Sequence, residues 1–202
     1  MASASAPGKV LICGGYLIVE APNVGLSLGV TARFTCATVA APADALVAAD
    51  NTERLVHIHS PQFGARFTFA VSAPAASSSD AAAVSVKQTA GPASPFLFFS
   101  VLAAFTHAAT VVESPSDVLA GPAVSLELRA ANDFYSQRNF LAGRDLPVTA
   151  ANLRTVPPHS AIVGSVSKTG LGSSAALSMS LVACLLNHLS SPAAGGAASL
   201  VA

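Results

Sequence analysis

Apolar and polar positions alternate as in strands through much of the first half of the chain, and recur as in helices in two later stretches. Residues 9 to 13 (KVLIC) form a short apolar run closed by Gly14-Gly15. Tyr16 to Val19 resume the run, which predicts two strands around a glycine turn. Leu28 to Val39 alternates roughly, and Leu55 to His59 and Arg66 to Val71 more cleanly, as antiparallel strands with one wet face do. From Ser72 to the residue before Pro95 the chain is rich in Ala and Ser, with too little apolar surface to offset its ordering entropy, so residues 72–94 are expected to be a mobile loop.

Pro95 stands where a first-turn proline would. Phe96, Phe99, Leu102, Ala103 and Thr106 follow at helical spacing, which predicts a helix to about Glu113. Ala123 to Arg129 reads as a strand, Asn132 to Gln137 (NDFYSQ) as a polar turn, and Ala161 to Val166 as a last apolar strand. A glycine-rich loop, Ser167-Lys168-Thr169-Gly170-Leu171-Gly172-Ser173-Ser174-Ala175-Ala176, then leads into LSMSLVACLLNHL, a helix by periodicity and composition. Beyond Ser190 the sequence thins to small residues.

Composition narrows what such a chain can do. At 202 residues and 52% hydrophobic it can build one good core or two small ones. Lys+Arg 10 against Asp+Glu 10, with the basic residues scattered singly, leaves no electrostatic footprint for nucleic acid or anionic lipid. Cys13, Cys36 and Cys184 fit no metal spacing and sit in apolar runs, as buried thiols of a reducing compartment do. The N-terminus lacks the basic and apolar regions of a secretory signal, so the cytoplasm is the expected location. The apolar stretch from Pro95 to Val112 is interrupted by polar residues and reads as a buried helix rather than a membrane span.

The chemistry concentrates in the glycine-rich loop. A loop that opens a helix exposes unpaired amides at the positive end of the helix dipole, which suits an anion, and phosphate is the usual guest. Gly170 and Gly172 permit close backbone approach, the Ser173 and Ser174 hydroxyls can donate to phosphate or ligate Mg²⁺, and Lys168 adds a point charge. A serine-capped helix after a flexible turn would look the same. The P-loop pattern fails because the lysine precedes the glycines. The dinucleotide pattern is met by Gly170, Gly172 and Ala175, but no acidic residue follows Asp145 to hold a ribose, so a Rossmann-type protein is only the runner-up. The same lack leaves a Mg²⁺ carboxylate ligand and a catalytic base unassigned. His57 and His59 alternate on one strand face and read as sheet surface.

Two motifs together carry a family likeness. Ala6-Pro7-Gly8-Lys9-Val10-Leu11 with Gly14-Gly15-Tyr16-Leu17, followed far down the chain by Lys168-Thr169-Gly170-Leu171-Gly172-Ser173-Ser174-Ala175, resembles the GHMP small-molecule kinases. The GGYL and NDFYSQ segments resemble the branch that acts on 5-phosphomevalonate in the mevalonate route to isoprenoids, with a sibling such as a mevalonate kinase as the alternative. The resemblance implies an α+β fold, a mixed, mostly antiparallel sheet with helices packed on one side, in which residues 1–202 form an N-terminal ATP-binding domain. It implies ATP and Mg²⁺ as cofactors. Lys168, Gly170, Leu171, Gly172, Ser173, Ser174 and Ala175 would hold the nucleotide phosphates, with Ser174 also on the metal. Lys9 would bridge donor and acceptor, and Tyr16, Asp133, Tyr135 and Ser136 would lie toward the substrate. Ser167 stands where that branch has proline. Without the likeness, Lys9 reads as an edge-strand lysine, Tyr16 as a core ring and Asp133 as a turn former. The third glycine-rich motif and the C-terminal domain of such kinases are not recognised in the sequence. This leads to an expectation of little activity in this chain alone, and leaves a non-catalytic binding module with one uncovered face as a further alternative.

Overall fold

The computed structural model describes residues 1–41, 53–73, 84–111, 118–119 and 121–190. Six strands, β1 (Ser3–Cys13), β2 (Leu26–Thr38), β3 (Glu53–Ser60), β4 (Ala65–Ser72), β5 (Ser85–Ala90) and β6 (Val124–Ala130), form one sheet in the order β1-β2-β6-β3-β4-β5. Every neighbouring pair is antiparallel except β3 with β6. That single parallel pair is not the doubly wound sheet a Rossmann reading needs. Helices α1 (Pro95–Val111) and α4 (Ser173–Leu189) pack side by side on one face of the sheet, and two short helices, α2 (Arg138–Ala142) and α3 (Ala150–Leu153), lie between β6 and α4 in the chain. The architecture is the mixed, mostly antiparallel α+β arrangement expected.

The long helices form because their apolar residues repeat on one face. In α1 the buried apolar residues are Leu97, Val101, Ala104, Phe105, Ala108 and Ala109, and along α4 Leu181, Cys184, Leu185 and Leu189 are buried on one face. These side chains meet Val56, Ile58, Phe69, Val71 and Leu126 from the central strands in the main core. Burial of each large aliphatic or aromatic side chain contributes about 1.5–3 kcal/mol, which ties α4 firmly to the sheet. A second, smaller cluster of Ala6, Phe34, Ala130, Phe134, Tyr135 and Ala176 lies where the start of α4 meets β1 and β2. Among the described residues no helix is long and apolar enough to cross a membrane.

The structure departs from the sequence expectations at several places. Tyr16–Val19 is not a strand but part of the 3₁₀ turn Gly15–Val19, because Gly14 and Gly15 both take positive φ (108° and 49°) and turn the chain out of the ladder. Of the loop expected at 72–94, residues 85–90 form β5, and 74–83 lie outside the described residues, as does the chain beyond Ser190. Ala161–Val166 makes no ladder. It is held by isolated bonds, Ile162 N donating to Gln62 O and Asn139 Nδ2 donating to Val163 O, each at 2.9 Å, so the glycine-rich loop enters from an irregular segment. Cys36 and Cys184 are buried and adjacent, hydrogen bonding and burial pushing the Cys36 thiol up, but Cys13 is exposed at the end of β1, an edge strand.

One buried cation gives the fold a pH dependence. Arg54 on β3 is 1% exposed; its Nη1 donates to Val118 O at 2.9 Å and its Nη2 lies 3.2 Å from His188 Nε2, while its Nε has no partner among the described residues. A guanidinium can only donate, so Nε2 accepts and the ring is neutral. Burial, then the Arg54 charge and the N-terminal ammonium, hold the His188 pKa below its ordinary value. A base with a depressed folded pKa contributes stability that is present above its unfolded pKa, about 6.5, and is lost as pH falls through the folded value. The melting temperature is therefore expected to fall between neutral pH and pH 5, and the fall to flatten in His188→Gln, which accepts from Arg54 without titrating. Parallel pH profiles for the two proteins would refute the assignment.

Candidate functional site

The site is built where β1 passes the start of α4. The β1–β2 register shifts between Pro7, opposite Arg33, and Lys9, opposite Gly29, so β2 bulges there and sets Val30, Thr31 and Ala32 against Gly8 alone. The bulge leaves the Lys9 amide free to donate to Leu171 O at 2.9 Å, which joins the two sequence motifs directly. Gly8 is the closest point of this crossing. A Cβ there would stand 2.8 Å from both Leu171 O and Phe134 Cε1.

Gly172, at φ 70°, turns the loop into α4. No side chain caps the helix and no acid lies in its first turn. Ala176 is the first residue whose amide donates within the helix, to Gly172 O at 3.1 Å, so the amides of Ser173, Ser174 and Ala175 remain open at its positive end. The Lys9 side chain lies over Gly172, whose Cβ, if present, would be 3.2 Å from Lys9 Cγ and Cε. A cleft of about 330 Å³ opens beside them, lined among others by Pro7, Lys9, Gly172, Ala175 and Met179. The exposed Lys9, with Gly172 and Ala175, lines the cleft, and the half-buried Ser174 follows Ser173 at the same helix start. Such a set can bind a polyanion and neutralise charge on it.

The other expected residues fall into two groups. Lys168 pairs through its backbone with Tyr135, and its ammonium sits 5.8 Å from the Phe96 ring, toward the start of α1. Gly170 takes φ 86° with open space around it. Asp133 and Ser136 present exposed side chains beside the loop, while their backbones hold it: Asp133 O accepts from the Thr169 hydroxyl and Ser136 N donates to Ser167 O at 2.8 Å.

Tyr135, Ser173 and Tyr16 differ sharply in exposure. Tyr135 is 5% exposed, its ring edge-on to Phe63 at 5.2 Å, and packs in the small cluster beneath the loop. Burial pushes its hydroxyl pKa up, opposed by a hydrogen bond with Ser173. The Ser173 side chain is accordingly buried and turned inward, leaving its amide as the group open to a phosphate. Tyr16 stands 96% exposed on the turn after β1, outside the contacts that form the loop. Neither Gly8 nor Thr169 was singled out by the sequence. A glycine inside a strand pattern is the signal that would have found the first.

Among the described residues no group of three or more His, Cys, Asp or Glu side chains could hold a metal; His57 instead lies 3.2 Å from Thr68 Oγ1 and His59 3.8 Å from Glu127.

No family model matches the chain, and no solved structure matches it. Among curated proteins it is similar to the peroxisomal phosphomevalonate kinase of Arabidopsis thaliana, 32% identical over 206 residues that cover 92% of this chain and 39% of that protein. It is similar also to the phosphomevalonate kinases of Aspergillus fumigatus (29% identical, 91% of this chain, 40% of that protein) and Gibberella zeae (31%, 91% and 39%). The chain thus spans about two-fifths of the length of these relatives.

Proposed function

We propose, from the chain's relationship to phosphomevalonate kinases, that it is the ATP-binding part of such an enzyme, which transfers the ATP γ-phosphoryl group to the phosphate of 5-phosphomevalonate. The observation that carries this reading is the set of open amides of Ser173, Ser174 and Ala175 with the Lys9 side chain lying across Gly172. Phosphoryl transfer asks a protein mainly to position reactants and neutralise charge, and these groups do both. An oxygen of the acceptor phosphate attacks the γ-phosphorus as the bond to the β,γ-bridging oxygen breaks, and ADP leaves. A phosphate monoester has its second pKa near 6 and is already anionic at neutral pH, so the attack requires no base. The lack of acidic residues after Asp145 then poses no obstacle to the chemistry.

Mg²⁺ fits the site as a companion of the nucleotide. It keeps several waters, binds phosphate oxygens and takes few protein ligands, and the half-exposed Ser174 hydroxyl is a hard oxygen donor at the right helix turn. When bound, the ion neutralises charge on the phosphates. Lys9 would face the transferring group, and the exposed Asp133 and Ser136 side chains would lie toward the acceptor. Val19, Val24, Leu26 and Leu28, 50–86% exposed on the β1–β2 pair and its connection, fit a face covered by the remaining length found in the relatives.

The test is calorimetric titration of MgATP into the 202-residue chain. Saturable binding, competed by inorganic tripolyphosphate, is expected, and its absence would overturn the reading. In a full-length version, Lys9→Ala is expected to leave ATP affinity within about threefold but, in the ADP-release assay with 5-phosphomevalonate, to reduce kcat by about a hundredfold. Turnover of mevalonate in place of 5-phosphomevalonate would reassign the substrate.

A further inference from the structure

The loop that presents the amides is weakly held by its own side chains. Gly170 has no neighbour within 4 Å of where a Cβ would be, and both Gly170 and Gly172 take positive φ, so the Gly-Leu-Gly stretch has much freedom to lose on binding. Its shape depends on ties at either side. On one side the Lys9 amide holds Leu171 O. On the other, Ser136 N holds Ser167 O, the Thr169 amide donates to Phe134 O at 3.2 Å, and the Thr169 hydroxyl donates to Asp133 O at 2.5 Å. Thr169 is the last residue before the glycines, and it ties the loop to the Asn132–Phe134 turn by both its amide and its side chain.

We propose that Thr169 is a positioning residue: its hydroxyl, anchored on Asp133 O, fixes the glycine loop in its anion-accepting shape before a phosphate arrives. This rests on the reading of the loop as a polyphosphate site. Ordering the loop in advance lowers the entropy lost on binding, so the hydroxyl acts on affinity without touching the ligand. Because Thr169 is exposed, loss of its hydroxyl leaves the core untouched.

Thr169→Val keeps the shape and removes the donor. It is expected to raise the Kd for MgATP and for inorganic tripolyphosphate about tenfold, the scale of one lost hydrogen bond, while Thr169→Ser stays within about twofold of wild type. Thr110→Val, which removes an exposed hydroxyl from the far end of α1, is the control, and the melting temperatures of all the variants should agree closely. Wild-type affinity in Thr169→Val, or a serine variant as weak as the valine one, would overturn the proposal. Amide hydrogen exchange without ligand separates positioning from direct phosphate contact: the Thr169 and Lys9 amides should exchange faster in Thr169→Val and recover in Thr169→Ser, and unchanged exchange would overturn it. If the wild-type chain binds neither polyphosphate, the kinase reading fails, and the exchange result alone decides whether Thr169 orders the loop.

Discussion

Replacing Ser174 by aspartate is expected to abolish ATP binding while making the folded chain slightly more stable. Ser174 is the second residue of α4, and the first turn of that helix carries no acidic side chain and no cap. A carboxylate there lies close to the open amides and the positive end of the dipole, which stabilises a helix by about 0.3–1 kcal/mol. The same carboxylate occupies the place of a phosphate and repels the others, so a loss in affinity of at least about a hundredfold, near 3 kcal/mol, is expected. Thermal melting and calorimetry on one preparation give both signs. A helix start with no ligand role would give the rise in melting temperature without the loss of ATP. Unimpaired binding would place the phosphates elsewhere, and a fall in both would show that Ser174 holds the fold together.

These opposite signs rest on a feature that was legible in the sequence. The glycine spacing, the serines and the apolar periodicity of the following residues specify a loop opening a helix, although α4 begins at Ser173, four residues ahead of the Leu177 start that the periodicity gave. Strands β2, β3, β4 and β6 were equally legible, since each alternates or runs apolar. Strand β5 was not. Its residues SVKQTA carry little apolar surface and it pairs only with β4 at the sheet edge, so neighbouring Ala and Ser obscured it. Ala161–Val166 misled in the opposite sense: apolar content predicted a strand where the backbone finds only isolated partners.

Within the site, the side chains expected to act split according to what the backbone does with them. Lys9 and the loop are brought together by an amide-to-carbonyl bond, Lys9 N to Leu171 O, which carries no residue preference and leaves no trace in composition. Asp133 and Ser136 were read as side chains but serve the loop through their carbonyl and amide. Tyr135 and Ser173 look polar in sequence yet both are buried, Tyr135 within the small apolar cluster under the loop.

The crossing of the two motifs should be intolerant of a single methyl group at Gly8 and indifferent to one at Gly29, the residue opposite Lys9 on β2. A Cβ on Gly8 meets Leu171 O and Phe134 Cε1, both at 2.8 Å, and Val30 Cγ2 at 3.0 Å. Leu171 O is backbone and cannot rotate away, so Gly8→Ala has to push the loop off β1 and stretch the Lys9-to-Leu171 bond. Overpacking of this kind costs about 1–3 kcal/mol, and the loop it displaces is the one that offers amides to phosphate. The expected result is a lower melting temperature together with loss of detectable ATP binding. Gly29 has nothing within 4 Å of its Cβ direction and lies in extended strand, so Gly29→Ala restricts only the unfolded chain and is expected to stabilise by about 0.4–1 kcal/mol. Two glycine-to-alanine changes on paired strands then move stability in opposite directions, and only the one under the loop removes ATP. Equal effects on stability, or ATP binding preserved in Gly8→Ala, would mean that contact between β1 and the glycine loop does not set the shape of the site.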